Sequence, residues 1–413
     1  MLLSGAALIL SVVIGRLAGP SVLGQFTVGY SIAVVCSCLV RSLTVAPFAI
    51  YIFRADEEER AAMRGSMAIQ SIAVIGTVFT LAMLLIASLA IVSAATVALG
   101  FDGKDSLPSK STLATLMAIT LGTTGMMARE VARQASFAEM NFQPAVWMDA
   151  ASFGFQLAGI AVLVVMERLQ TGPIFYILAA GGWLPVIGWW IAYKRQLRID
   201  FKHARETWGD IFRFGRWEAL GQSCQVGQMY ALPWVMALSG GFAAAGIYAA
   251  VWSVLQLVSP FSQAAGNLMG PLLARSYASG GAMELSKLTR RFTILSFNVS
   301  AVYVIAMTLL GTRLLTLAYG SRYGEPFALV VVLSVVIASG LATMAVTKSI
   351  VVLGRPDWIF AIQAGGVIAI LIAAATLGSR FGLLGAAVGL LAAQVFIAIA
   401  KVYAYRKVSS RRG

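Results

Sequence analysis

The side chains in this sequence that could do chemistry lie inside apolar runs. Arg41 precedes Arg54, the charge that closes its run, by 13 residues. At about 1.5 Å per residue it therefore lies ~20 Å along a helix from that flank. A charge at such depth in a bilayer costs about 3 kcal/mol on insertion scales and requires a partner, water or an anionic ligand. Thr27, Ser31, Cys38 and Ser42 share its helical face. Arg41 reads as a ligand-facing cation; a hydrogen bond to helix ends and a misplaced span boundary are the alternatives. A second polar row, Ser253, Gln256, Pro260, Gln263 and Asn267, steps by three and four along one expected helix from Gly240 to Arg275, so it forms one face. Glu218, Gln222 and Gln225 stack in the same way with Gln228 at their edge, as do Asp149, Ser152 and Gln156. Rows of this kind are costly against lipid and belong toward other helices or a wet cavity. Any one amide could be interhelical glue; the case for a cavity rests on four spans sharing the pattern.

A guanidinium with amides and hydroxyls at mid-depth suits an anionic, hydroxyl-rich ligand: Arg for phosphate oxygens, and Gln, Asn and Ser for sugar hydroxyls. Asp149 and Glu218 are the acids expected to enter spans, each near one end, and they are the groups placed to sense a coupling ion. Arg54 and Arg275, at corresponding span ends, form either a basic entrance or ordinary interface anchors, and Arg16 either an exit-side contact or an anchor. The single histidine, His203, lies in a charged connection, so a histidine metal site or catalytic triad is not expected. Cys36, Cys38 and Cys224 lie in apolar spans without a CxxC pair, which supports neither a disulfide framework nor zinc. No GxxxxGK[ST] loop occurs, so ATP is not the direct energy source. The longest outward connection, Ser93 to Ser111, is short, and its Asp102 and Asp105 read as a solvated turn. An enzyme is not expected, nor is a cofactor or a metal.

The elements that must hold these groups are membrane helices. Hydrophobic residues make up 59% of the 413, charged residues 12%, and mean hydropathy is +0.84, which places the chain among all-α integral membrane proteins. The net charge of +14 is confined to short connections between apolar runs, so it reports orientation rather than nucleic-acid binding. With about 20 residues needed per crossing, about twelve transmembrane helices are expected, near 2–18, 24–48, 66–93, 111–128, 145–166 and 173–193, then 217–238, 245–271, 291–311, 326–347, 358–378 and 383–401. The apolar run from Met1 reads as a retained first span. Twenty-three Lys and Arg fall on one set of alternate connections and seven on the other, which puts both termini in the cytoplasm.

Residues 1–193 and 217–401 then form two pseudo-symmetric six-helix lobes. A basic cytoplasmic linker, 194–216, joins them, and a basic tail follows at 402–413. Ile211, Phe212, Phe214 and Trp217, set among Arg213 and Arg216, make part of the linker an amphipathic surface helix. An internal echo supports the two halves: Gly19, Gly24 and Phe26 recur 222 residues later as Gly241, Gly246 and Tyr248, and Pro47 finds its counterpart in Pro271.

The stretch IGRLAGPSVLGQFTVGYSIAV resembles the R-x-L-G-x-x-x-x-G-x-[FY] signature of Wzx-type polysaccharide-export flippases, in the multidrug/oligosaccharidyl-lipid/polysaccharide superfamily that also holds the MATE exporters. Ala18 interrupts its Leu-Gly pair. FAAAGIYAAVWSVLQLVSPFSQAAGNLMGPLLAR is similar to the corresponding second-half motif. The resemblance implies a pair of lobes around a central cavity lined by spans one, two, seven and eight. It also implies arginines that hold the diphosphate of a polyprenol-linked oligosaccharide, for which Arg41 and Arg275, then Arg16 and Arg54, occupy suitable spans. The implied setting is a bacterial inner membrane, with the lipid-linked oligosaccharide, the bilayer and other polysaccharide assembly proteins as partners. A cation-coupled drug exporter of the same fold and a non-transporting scaffold of a glycan assembly complex are the alternatives.

Overall fold

A computed structural model of the chain describes residues 2–52, 57–98, 109–194 and 201–409. Side chains are described for most of these, but not for 201–218 nor for Gln222, Gln225 and Asn267. The regular structure among the described residues is helical: α1 (Leu2–Ala18), α2 (Pro20–Val40), a π-helical turn (Arg41–Val45), α3 (Ala46–Tyr51), α4 (Glu57–Ala98), α5 (Lys110–Ala138), α6 (Phe142–Val165), α7 (Thr171–Tyr193), α8 (Phe201–Leu255), α9 (Ser259–Tyr319), α10 (Phe327–Ala342), α11 (Met344–Val352) and α12 (Pro356–Ser409). Eight of the described helical stretches are long and apolar enough to cross a membrane. Helices α8, α9 and α12 break at Gly241, Gly281 and Gly382, where positive φ interrupts the helix. Each break falls in a connection expected from the hydropathy pattern.

By contact the chain divides into two compact units, Met1–Val28 with Gly227–Gly413, and Gly29–Val226. In the 29–226 unit α5 is the hub, packing on α4, α6, α7 and the π-helical turn. Its contact with α7 is backbone-close because a side chain at Gly125 would overlap Ala179 and one at Gly182 would overlap Gly125. Small residues are what bring membrane helices together when no hydrophobic effect operates between them. On its other flank α5 joins α2, α3 and α4 in an apolar core that includes Val40, Phe48, Met67, Met127 and Val131.

In the unit that holds both termini, the sequence repeat becomes a contact. A side chain at Gly24 would strike the Phe242 carbonyl, and one at Gly246 would strike the Pro20 carbonyl. These two pairs are the same pair under the 222-residue offset, so the two copies of the motif cross each other reciprocally. Around them α9 packs on α1, α10 and α11, and α12 packs on α10 and α11.

The expected single helix from Gly240 to Arg275 is corrected. After the break at Gly241, a 3-10 turn at Gln256–Val258 separates α8 from α9. The cause is Pro260, which has no N–H to give the Gln256 carbonyl; the Ser259 N–H takes that carbonyl instead, one residue early. A second correction concerns the fourth span, which does not end at 128: α5 runs on to Ala138, so Arg129, Glu130 and Arg133 belong to the helix and not to a connection.

Candidate functional site

The polar interior of the 29–226 unit is built on two local departures from a plain apolar helix. The first is the π-helical turn that begins at Arg41. Pro47 cannot donate to the Leu43 carbonyl, and its ring crowds that carbonyl. The backbone relieves this by widening, and the Ala46 N–H reaches the Arg41 carbonyl in an i+5 bond. Single π turns of this kind are rare and concentrate at functional sites. Arg41 is half-buried, and among the described residues its side chain forms no ion pair or hydrogen bond, although the Cys38 thiol is an electrostatic neighbour. Ser42, on the same turn, is 1% exposed and its hydroxyl has no protein partner. Thr44 is anchored: it donates to the Val40 carbonyl at 2.8 Å and accepts from Ser71 on α4 at 3.0 Å.

The second departure is the charged stretch of α5. Arg129 is 8% exposed, about 13 Å up the helix from its end at Ala138. Its Nη1 donates to Ser152 on α6 at 2.7 Å, and Gln156 donates to the same hydroxyl at 3.1 Å. The Arg129 Nε–H is buried with no acceptor. One turn on, Arg133 is clamped by Glu130 at 2.6 Å, and Gln134 donates to the other Glu130 oxygen at 2.8 Å. Asp149 has Arg133, Arg129 and Glu130 as electrostatic neighbours, yet its Oδ1 is buried without a hydrogen-bond partner. Tyr30 on α2 senses the same three α5 charges, so α2, α5 and α6 frame one polar interior. Two guanidinium groups in it, those of Arg41 and Arg129, keep donors without an acceptor among the described residues, and these can meet a multivalent oxyanion.

The remaining expected site residues fall differently. Asp149 joins the cluster just described. Arg16 is exposed and donates to the Leu317 carbonyl at 3.0 Å, which makes it a clamp between α1 and α9. Gln256 is half-buried on its 3-10 turn, Gln263 is exposed and donates to Ser259 at 3.0 Å, and Arg275 is exposed. Arg54 lies outside the described residues, and the side chains of Glu218, Gln222, Gln225 and Asn267 lie outside the described part. Ser253, at the head of the expected row, is tied to the Tyr319 hydroxyl at 2.5 Å.

Arg129, Glu130 and Tyr30 were missed by sequence reasoning. Charges truncate a hydropathy window, so 129–133 looked like a connection; the signal that could have placed them is the complementary Ser152 and Gln156 row on the next span. Among the described residues no three metal-ligating side chains come together.

No family profile matches the chain. A capsular polysaccharide biosynthesis protein of Staphylococcus aureus, CapF, is 26% identical over 163 residues, which is 40% of this chain and 41% of that protein's length. Among solved structures, the inward-facing conformation of a multidrug resistance MATE family transporter of the MOP superfamily superposes with a TM-score of 0.79 at 15% identity, covering 98% of this chain and 95% of that one. A MOP superfamily transporter from Pyrococcus furiosus, described as having a binding pocket of reverse polarity, gives 0.63 at 13% identity, covering 99% and 92%. The chain has the fold of MATE and MOP superfamily transporters.

Proposed function

We propose that this protein is a transporter that moves a polyprenyl-diphosphate-linked oligosaccharide across the inner membrane of a bacterium for surface polysaccharide export, by alternating access of two six-helix lobes. The observation that carries the reading is the Arg41 guanidinium on a π-helical turn within the apolar span, which has no ion pair or hydrogen bond among the described residues. An uncompensated cation at that depth is costly, and a diphosphate supplies its counter-charge. The buried Arg129, with a free Nε–H, adds a second donor in the same unit. Gln222, Gln225, Gln256, Gln263 and Asn267 are proposed to meet sugar hydroxyls, with Arg16, Arg54 and Arg275 guiding the charged head in and out. The polysaccharide context is supported by the likeness to CapF. Movement of an anion outward is assisted by an inside-negative potential, by about 2.3 kcal/mol per charge per 100 mV.

A second reading has its own observation. Glu130 and Asp149 place two carboxylates inside the 29–226 unit, which a cation-coupled drug exporter could use for its coupling ion. In the flippase reading Asp149 and Glu218 serve the same coupling role. Purified protein in liposomes decides between them. The flippase moves a fluorescent prenyl-diphosphate disaccharide between leaflets and ignores cationic dyes; dye efflux without lipid transfer selects the exporter.

A further inference from the structure

A groove of about 570 Å³ lies within the 29–226 unit, bounded by α4, α5 and α7. Its wall is almost wholly apolar: Ile75 and Phe79 from α4, Leu121 and Val131 from α5, and Ile187 and Trp190 from α7. The volume is that of a small-molecule site, which typically spans about 300–1,000 Å³ and is lined in this way. The α4 side runs from Met67 to Phe79, about 18 Å along the helix. Ile72, Phe79, Trp183 and Ile187 at its rim are exposed, so the slot opens on the side of the helices, where a membrane protein meets hydrocarbon.

Two features separate it from an ordinary crevice filled by bulk lipid. Gly76 lies in its wall, and nothing stands within 4 Å of where its side chain would be, so a bulky side chain at 76 has open room to enter the groove. The floor is also wired to the polar interior. Ser71 lines the groove and donates at 3.0 Å to Thr44, three residues along the π-helical turn from Arg41. The buried Trp189 N–H, in the same wall, has no protein acceptor. One apolar slot, one unused donor in its wall and a cationic turn linked to its floor match an amphiphile with one chain and an oxyanion head.

We propose that the α4–α5–α7 groove seats the isoprenoid chain of a prenyl phosphate lipid, with its phosphate directed to the Arg41 turn. The lipid class rests on the flippase reading above, but binding in the groove is measurable without transport. Groove and Arg41 then act as a two-point clamp, in which the chain gives dwell time and the head gives selection.

The test uses full-length protein in phosphatidylcholine nanodiscs and a prenyl phosphate with a diazirine in its chain, with adducts mapped by peptide mass spectrometry. Adducts are expected on the Met67–Phe79 and Trp183–Trp190 walls. Unlabelled prenyl phosphate should compete them away, while phosphatidylglycerol and inorganic phosphate should not. Gly76→Phe fills the open space and should cut the adducts at least tenfold with an unchanged melting temperature; Ile187→Trp at the rim serves as a second plug should the first fail to fold. Adducts that persist in a folded plugged variant, that lie elsewhere, or that phosphatidylglycerol removes equally well overturn the proposal. Leaflet transfer of a prenyl-diphosphate disaccharide, measured on the same preparations, separates the two ideas. Groove adducts without transfer leave the groove standing and sink the flippase reading. Transfer without groove adducts does the reverse.

Discussion

The two units differ in how many of their buried polar groups they satisfy internally. In the unit that holds both termini, most of the buried polar groups described are tied off by the protein itself, the Tyr405 hydroxyl being the exception. Tyr319 bonds both Ser11, at 2.9 Å, and Ser253, at 2.5 Å. Tyr323 donates to the Gly15 carbonyl and Tyr303 to the Leu255 carbonyl, each at 2.9 Å, and Gln228 donates to the Gln363 backbone and side-chain oxygens at 2.6 and 2.7 Å. In the 29–226 unit, Ser37, Ser42, Ser66, Thr123, Arg129 Nε and Asp149 Oδ1 are buried without partners among the described residues. Buried polar atoms that the protein leaves unmet are uncommon and call for a functional explanation. The hydrogen-bonded groups named in the first unit act as fasteners between helices, whereas those named in the second are polar atoms that the protein leaves unmet.

That contrast can be broken by substitution, and the largest effect should come from the open side. Arg41→Gln should lower the initial rate of lipid transfer about 100-fold, the scale of one lost hydrogen bond to a charged group at roughly 2–3 kcal/mol, with normal membrane insertion and melting. Unimpaired transfer in that variant removes Arg41 from the site. Arg129→Gln keeps a donor for Ser152 but loses the charge, and should cost about tenfold, or about 1.4 kcal/mol, in the same assay; a change in melting with no change in rate would make Arg129 another fastener. Tyr319→Phe on the closed side should do the converse. Losing two hydroxyl contacts should lower stability by about 1–2 kcal/mol in a melting or denaturant series while the transfer rate stays within about twofold. Gln263→Ala should be the mildest, because Gln263 is exposed and bonded only to its neighbour Ser259. A transfer defect there larger than that of Arg129→Gln would mean that the sugar contact of Gln263 outweighs the charge of Arg129.

The 222-residue echo was legible in the sequence, and the structure turns it into the reciprocal Gly24 and Gly246 crossing. The helical class followed from hydropathy. What the pattern hid came from proline and from charge. Pro47 and Pro260 were visible, but whether a proline widens a helix into a π turn or tightens it into a 3-10 turn depends on which neighbouring N–H takes the freed carbonyl, and that is settled by packing. The charges at 129–133 end a hydropathy window, although the helix continues because Ser152, Gln156 and Glu130 compensate them across and along the bundle. The run from Gly240 to Arg275 read as one helix because helical periodicity assumes an unbroken helix, and the breaks at Gly241 and Gln256–Val258 leave no mark on that pattern.

The most direct measurement follows leaflet transfer of a fluorescent prenyl-diphosphate disaccharide in proteoliposomes containing only this protein, wild type beside Arg41→Gln and Tyr319→Phe. The account predicts transfer in wild type and Tyr319→Phe and near-background transfer in Arg41→Gln. Equal transfer by all three folded proteins, or efflux of a cationic dye in place of the lipid, would contradict it.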